Sequence, residues 1–291
     1  MDIRQLRYFL AVAETQHMTR AAEQLNVTQS TLSHRIQQIE LALKTPLFDR
    51  VGRGIRLTQA GELFSSFAQR AMKEIENGMA AVSDLENVVT GRLRIGVIQT
   101  INNALLPPVV SRFVEAYPGV QVTLDEMTAH NIEEGLAHAR LDFGISIIPV
   151  TSPDVVAERL FDERMVLIAR RDSPLAQHRS IRAAALADIK LALLSTSYMT
   201  RRLIDSSYGP FIGSNLVLET NSVEALLNTV RAGNVATIIN ERTLIKEDEL
   251  VKVVITHPTS IRVAALVWSK TRYRTPAARK FAEMFKEHLA A

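Results

Sequence analysis

Two short helical patterns lie close together near the start of this chain, with only Asn26 and Val27 between them. Thr19 and Thr28 are the expected N-caps, because a threonine hydroxyl accepts a hydrogen bond from the free N–H groups of a first helical turn. In the second helix the apolar residues form one narrow stripe, made of Leu32, Ile36, Ile39 and Leu43. An earlier helical pattern carries Ile3, Leu6, Phe9, Leu10 and Ala13. Helices joined by so short a turn predict a helix-turn-helix motif.

The polar face of the second helix is rich in uncharged donors and acceptors rather than in Glu and Lys. Such side chains bond to base edges, and the first turn of a recognition helix is where these contacts occur. A solvated helix face is the alternative interpretation. The predicted DNA-contacting residues, including two from the segment that follows, are Thr28, Gln29, Ser30, Thr31, Ser33, His34, Arg35, Gln37, Arg50 and Arg53.

The segment after this helix has the pattern of a two-stranded wing. Gly52 and Gly54 allow a tight reversal, and Ile55 and Leu57 alternate with Arg56 as in a half-buried strand. The wing would carry Arg50 and Arg53 at its tip, where arginine suits contact with phosphate or with the minor groove. Residues 1–57 hold eight Lys and Arg against five Asp and Glu, an excess that also arises by chance.

The run AAEQLNVTQSTLSHRIQQIE, followed by PLFDR and RLTQAG, resembles the winged helix-turn-helix of LysR-type transcriptional regulators. The chain length and the order of the later segments extend the resemblance over essentially the whole chain. It departs from the family at Ser30 and Thr31, where Pro followed by Ala is common. The resemblance implies binding to double-stranded promoter DNA as a dimer or dimer of dimers, with RNA polymerase as a further partner.

From Thr58 to about Val89 the sequence predicts one long helix. Its apolar stripe has a mean period of 3.5 residues, which is typical of coiled coils, and consists of Phe64, Ala68, Ala71, Ile75, Gly78, Val82, Leu85 and Val89. A partner chain would bury such a stripe, and packing against the C-terminal half of the same chain is the alternative. The family resemblance favours a dimer through this helix.

After Gly91 strands alternate with helices, which predicts a parallel sheet with crossover connections. The first predicted strand spans 93–98, and the helix after it is expected at 105–117. This part resembles the effector domain of the same family, which is like periplasmic binding proteins. The expected fold is therefore a multidomain α+β protein: a winged helix-turn-helix at 1–58, a linker helix at 59–89, effector lobe one at 90–162 with 267–291, and lobe two at 163–266.

Polar residues follow several predicted strands of the effector domain. Ligands of such sheets bind at the carboxyl ends of strands, and hydroxyls and amides at helix starts hold small anions well. For each residue alone, ordinary helix capping is the competing explanation. The predicted effector-binding residues are Gln99, Thr100, Ile101, Thr128, Ile147, Thr196, Tyr198, Thr200, Arg201 and Asn221. Within the family, the stretches LLSTSYMTR and ETNSVEAL most resemble the cyanate-operon regulator.

The remaining features count against other classes of protein. The chain has no cysteine, no glycine-rich nucleotide loop and no GxSxG elbow, and its seven histidines are scattered. We therefore expect no catalytic residues, no metal site and no cofactor beyond the effector; an enzyme, or a binding module without DNA, is the rival class. The chain has no signal-peptide core and no apolar run of about 18 residues. We therefore expect a cytoplasmic protein that associates with the nucleoid and not with a membrane.

Overall fold

The computed structural model describes residues 1–51, 54–84, 89–244 and 249–290. The chain divides into two compact units, one built on Met1–Val88 and the other on Val89–Ala137 with Leu141–Ala291. Each unit has hydrophobic core clusters of its own. Within the described residues, no helix is long and apolar enough to cross a membrane.

Three short helices open the first unit: α1 (Ile3–Thr15), α2 (Met18–Gln24) and α3 (Gln29–Leu43). Their apolar faces meet in a core that includes Phe9, Val12, Leu32, Ile36 and Ile39. Leu43 was predicted from the sequence to be buried, and it is 39% exposed. The reason is that α3 ends there, because Lys44 adopts a left-handed conformation that turns the chain away.

The start of α2 differs from the sequence prediction. The N-cap is His17, whose Nδ1 accepts a hydrogen bond from the backbone N–H of Arg20 at 3.4 Å, and not Thr19. Thr19 lies inside the helix, and its hydroxyl donates to Oε1 of Gln29 at 3.3 Å. The threonine therefore connects α2 to α3 instead of capping α2.

The wing consists of β1 (Phe48–Val51) and β2 (Gly54–Leu57), paired antiparallel with Arg50 opposite Ile55. The backbone N–H of Ile55 donates to the carbonyl of Gln16 at 3.2 Å, which ties the wing to the end of α1. Ile55 and Leu57 are half-buried while Arg56 is exposed, as their alternation predicts.

The long helix α4 (Gln59–Asp84) follows the wing and extends about 39 Å at 1.5 Å per residue. Val89, predicted as the last member of its apolar stripe, is not helical and packs against the core of the second unit. Leu85, also in the predicted stripe, lies outside the described residues.

The second unit contains helices α5 (Gln99–Ala116), α6 (Ala129–Ala137), α7 (Met199–Tyr208), α8 (Val223–Ala232) and α9 (Pro276–Ala290). Its strands are β3 (Gly91–Val97), β4 (Val120–Glu126), β5 (Phe143–Ile148), β6 (Val155–Arg170), β7 (Ser180–Arg182), β8 (Leu191–Leu194), β9 (Leu216–Thr220), β10 (Thr237–Asn240), β11 (Leu250–Thr256) and β12 (Ile261–Ser269). Four short 3₁₀ turns complete the described elements of this unit.

The sheet of this unit is mixed, which corrects the prediction of a parallel sheet. Its strands follow the order β4-β3-β5-β12-β6-β11-β7, with β10 also paired to β6. The pairs β3–β4, β3–β5 and β7–β11 are parallel, but β12 runs antiparallel to both β5 and β6. Strands β8 and β9 form a separate two-stranded parallel sheet. The long strands β6 and β12 carry the chain between two lobes and back, and a return path has to run antiparallel.

The hydrophobic cores define these two lobes. The core of lobe one takes residues from 93–155 and 264–285, among them Phe113, Phe143 and Phe281. The cores of lobe two take residues from 165–255 and lie on the two faces of β6: Met165 and Leu167 pack on one side, and Val166 and Ile168 on the other. Alternation along a strand covered on both faces produces this division.

Helix α5 begins six residues before its predicted start and contains Pro107 and Pro108. A proline inside a helix removes a hydrogen bond and normally ends the element. Here Ile101, Leu106 and Val109 are fully buried in the core of lobe one, and this packing outweighs the local cost. Residues 99–102, which lie between the predicted strand and the predicted helix, therefore form the first turn of α5.

Candidate functional sites

The turn between α2 and α3 is as short as the sequence predicts. Asn26 adopts a left-handed backbone conformation with φ of 53°, and the N–H of Val27 donates to the carbonyl of Ala22 at 3.0 Å. Thr28 then caps α3, its hydroxyl oxygen accepting from the N–H of Thr31 at 3.2 Å. This geometry fixes α3 against α2 and leaves the first turn of α3 on the surface.

Most of the predicted DNA-contacting residues share the exposed face of α3. The exposed members are Thr28, Gln29, Ser30, Thr31, Ser33, His34 and Gln37. The hydroxyl of Thr28 lies 3.0 Å from that of Ser30 and 2.8 Å from that of Thr31, so the two residues that depart from the family pattern form a hydroxyl cluster with the N-cap. This surface offers base edges donors and acceptors without fixed charge.

Three other predicted contacts have different surroundings. Arg35 is half-buried, and its Nη1 donates to Oε1 of Gln38 at 3.1 Å, an oxygen that also accepts from Nε2 of Gln5 at 3.3 Å. Arg35 is therefore bonded at the edge of α3, where Gln38 connects it to α1. The backbone of Arg50 lies in β1, and Arg53 lies outside the described residues.

A cleft of about 370 Å³, open to solvent, lies between the two lobes of the second unit. The residues that line it are Ile98, Gln99, Thr100, Met127, Thr128, Ala129, Ile147, Leu194, Tyr198, Met199, Thr200 and Val223. They come from both lobes and from the carboxyl ends of the parallel strands, where ligands of α/β sheets bind. None of these lining residues carries a formal charge.

Four helix N-termini meet at this cleft, because its lining includes the first residues of α5, α6, α7 and α8. At α6 and α8 a side chain caps the first turn: Thr128 accepts from Asn131 N–H, and Ser222 accepts from Ala225 N–H. At α5 and α7 the N-cap side chain makes no such bond. Free N–H groups and the helix dipole favour a negatively charged group at such a place.

Two hydrogen bonds hold residues of the cleft lining in place. Oε1 of Gln99 accepts from the N–H of Val223 at 3.2 Å, which joins lobe one to lobe two. The hydroxyl of Tyr198 donates to the carbonyl of Asn221 at 2.7 Å. Burial, with a smaller contribution from the negative charge of Glu126, raises the pKa of Tyr198, so its phenol remains a donor.

The structure brings six of the predicted effector-binding residues to the cleft: Gln99, Thr100, Thr128, Ile147, Tyr198 and Thr200. The other four lie elsewhere. Ile101 is fully buried in the core of lobe one, and Thr196 and Asn221 have exposed side chains outside the lining. Arg201 points into lobe two, where it pairs with Asp205 at 2.8 Å and with Glu219 and donates to the carbonyl of Leu194.

Behind the cleft lies a buried polar network that the sequence reasoning missed. Arg262 and Glu163 are each 2% exposed or less and face each other across β12 and β6. Oε1 of Glu163 also accepts from Nδ2 of Asn240 at 2.8 Å. A charged residue inside an apolar strand such as IRVAALVW was a signal for it, but its partner is 99 residues away in the chain.

The sequence matches two family descriptions. Residues 3–62 match the bacterial regulatory helix-turn-helix protein, lysR family, and residues 86–290 match the LysR substrate binding domain. Together these matches cover most of the chain. They correspond to the helix-turn-helix of the first unit and to the two-lobed second unit.

Individual proteins agree with this assignment. The chain is 31% identical to a probable RuBisCO transcriptional regulator of Synechocystis sp., over 95% of this chain and 83% of that protein. Its fold is shared by full-length OxyR of Pseudomonas aeruginosa, with a TM-score of 0.79, 24% identity and coverage of 99% and 94%. It is also shared by CbnR in complex with its target DNA, with a TM-score of 0.71, 22% identity and coverage of 99% and 100%. The chain belongs to the LysR family of transcriptional regulators, which are not enzymes.

Proposed function

We propose that this regulator binds inverted-repeat promoter DNA as a dimer or a dimer of dimers, and that a small anion in the interlobe cleft controls DNA binding or promoter activation. The convergence of four helix N-termini on a cleft without charged lining residues carries the second half of the proposal. The exposed polar face of α3 supports the first half, as does the shared fold with CbnR, which was solved with its target DNA. RNA polymerase is a further proposed partner, engaged when the regulator activates a promoter.

The proposed dimer uses α4. Its side chains Leu63, Phe67, Ile75, Met79 and Val82 are 63, 57, 38, 68 and 65% exposed, and they follow one face of the helix. An apolar surface of this kind on a soluble protein marks an interaction site. A second copy of α4 supplies a matching surface, since symmetric pairing brings the same residues together from both chains.

The proposed switch acts through the strands that connect the lobes. β6 and β12 pass through both lobes, and the bond from Gln99 to Val223 spans the cleft between them. An anion that binds both sides of the cleft would bias the angle between the lobes. The size of the response is limited to the difference in affinity for the two states, about 1–3 kcal/mol.

The ligand is a small anion rather than an oxidant. The chain contains no cysteine, so no thiol is present to form a disulfide. The short stretches that resemble the cyanate-operon regulator agree with a small anionic effector without naming it. A panel of cyanate, nitrate, sulfate, phosphate and short carboxylates, tested by thermal shift and then by gel shift on the promoter DNA of the regulator, tests the proposal.

We expect Thr100→Val to reduce the response to the bound anion by at least about tenfold. The valine keeps the shape of the side chain but removes a hydroxyl that lines the cleft, and one hydrogen bond to a charged group contributes about 1.5–3 kcal/mol. Gel shifts with and without anion measure the response, and Thr100→Ser is the control because it keeps the hydroxyl. Loss of DNA binding in the absence of anion, or an unchanged response, contradicts this role.

The two classes of DNA contact should respond differently to mutation. Gln29→Ala is expected to cost about 1–3 kcal/mol at the preferred site and to relax the choice of base, because the amide is placed to bond to a base edge. Arg53→Ala should weaken binding to all sequences and lower the salt slope by about one unit, because it removes a phosphate contact. Binding isotherms at several salt concentrations separate the two. An Arg53→Ala variant that changed only sequence preference would overturn the wing assignment.

A further inference from the structure

Arg262 lies behind the interlobe cleft and is held there by Glu163. Its Nε and Nη2 lie 2.7 and 2.6 Å from Oε2 of Glu163, and both side chains are 1% exposed. Burial lowers the pKa of Arg262, and the negative charge of Glu163 opposes that change. Glu163 in turn accepts from Asn240, whose Oδ1 accepts from the hydroxyl of Thr243 at 2.6 Å. The pair is thus fully bonded, as a buried charge requires.

Arg262 also donates to one threonine hydroxyl from each lobe. Its Nη2 lies 2.8 Å from Oγ1 of Thr100, in the first turn of α5, and its Nη1 lies 2.9 Å from Oγ1 of Thr200, in the first turn of α7. A guanidinium has only donors, so each hydroxyl must accept from it, and each keeps its own proton to donate. Neither hydroxyl has another partner among the described residues, and both threonines line the cleft. Two O–H groups are therefore left to bond to an acceptor in the cleft.

The rest of the lining indicates what carries that acceptor. Seven of the lining residues are apolar: Ile98, Met127, Ala129, Ile147, Leu194, Met199 and Val223. A tetrahedral inorganic anion would leave these walls in contact with water. An organic acid would place its carboxylate at the threonines and its apolar part against the walls, as in ligand sites that combine an apolar lining with a few polar groups.

We propose that Arg262 makes the cleft select an ionised carboxylic acid with a short apolar body, by holding Thr100 and Thr200 so that both hydroxyls donate to the carboxylate. This rests on the proposed function and adds to it the chemical class of the ligand. Arg262 is a positioning residue, since the threonines and not the guanidinium touch the ligand. The charged guanidinium donates to the threonine hydroxyls, and these in turn donate to the ligand. Hydrogen bonds in such a chain are stronger than neutral ones, because the charged donor polarises them.

The test compares acids with their amides, which match them in shape but carry no charge. The probes are sodium acetate, butyrate and hexanoate with the corresponding amides, and sodium sulfate, all at matched ionic strength. Calorimetry on the full chain gives the ratio of affinities for acid and amide. We expect at least a tenfold preference for the best acid over its amide, and weaker binding of sulfate.

The decisive variant is Glu163→Gln with Arg262→Met. It removes both buried charges together, so neither is left unpaired, and the glutamine keeps an acceptor for Asn240. We expect the ratio of affinities for acid and amide to fall at least about threefold in this variant, while the helix N-termini at the cleft keep part of the preference for the acid. A purely structural role would weaken both equally and leave the ratio unchanged, which would overturn the proposal.

Three further variants complete the design. Arg159→Met with Asp162→Asn removes an exposed ion pair from the same strand and should keep the preference for the acid. Thr200→Val should reduce the preference for the acid and Thr200→Ser should restore it, which tests the proposal even if the double variant does not fold.

The possible outcomes separate the two proposals. If no anion binds the unmodified chain, the proposed function itself fails. If sulfate binds best, only the ligand class is wrong, and if an acid binds with an unchanged ratio in the variants, only the role of Arg262 is wrong.

Discussion

Ile75→Glu is expected to split the proposed dimer and to abolish tight binding to inverted-repeat DNA. Ile75 lies in the middle of the exposed apolar face of α4, between Phe67 and Val82. In a symmetric pair of helices the substitution brings two carboxylates into the same buried surface, and an unpaired buried charge costs about 3–5 kcal/mol. At 1.4 kcal/mol for each factor of ten, the dissociation constant should rise about 10²- to 4 × 10³-fold. Sedimentation at micromolar concentration and binding to an inverted-repeat fragment should both report the loss.

Gln69→Glu is the matched control for this prediction. It adds the same charge to the same helix, but at 100° per residue it lies about 120° around the helix from Ile75. This variant should remain dimeric and bind DNA as the unmodified chain does. A dimer that survives Ile75→Glu would show that α4 does not form the interface, and would return its apolar face to the alternative of packing within the chain.

The proposed dimer interface also shows how much of the structure can be predicted from the sequence. The heptad pattern predicts the long helix and its apolar stripe, but it assigns Phe64 and Ala68 to the dimer face. The structure buries Ala68 and packs Phe64 in the core of the first unit, and exposes Leu63 and Phe67 beside them. A period alone cannot decide which of two adjacent stripes meets the winged domain, because that depends on how α4 leaves the wing.

In the effector domain, too, some features can be predicted from the sequence and others cannot. The cleft and six of its lining residues were predictable, because hydroxyls and amides after strands and before helices mark the carboxyl edge of a sheet. The pairing of Arg262 with Glu163 was not, since it depends on the register of two long strands far apart in the chain. Arg201 illustrates the opposite error: its place near a helix start suggested an anion contact, but Asp205 and Glu219 already bind it.

Gly61, in the motif that ends the winged domain, leaves no room for a side chain, and this close packing supports a second prediction with a large expected effect. The carbonyl of Leu47 accepts from the N–H of Thr58 at 3.0 Å and lies against the first turn of α4. A Cβ added at Gly61 would stand 2.1 Å from that carbonyl oxygen and 2.9 Å from Cδ2 of Leu57. The oxygen belongs to the backbone and is held by its hydrogen bond, so it cannot move aside without breaking the connection between the wing and α4.

Gly61→Ala is therefore expected to destabilise the first unit by about 3 kcal/mol or more, which is the upper range for overpacking. For a unit of this size that corresponds to a fall in melting temperature of at least about 12 °C, with loss of DNA binding. Circular dichroism follows the helices, while the one tryptophan, Trp268, is buried in lobe one and reports the second unit alone. Its fluorescence transition should stay in place. Gly209→Ala is the control, because a Cβ there meets nothing within 4 Å and the backbone already has helical angles, with φ of −47°, that alanine adopts. Equal stability of the two variants would show that the wing does not need its close approach to Gly61.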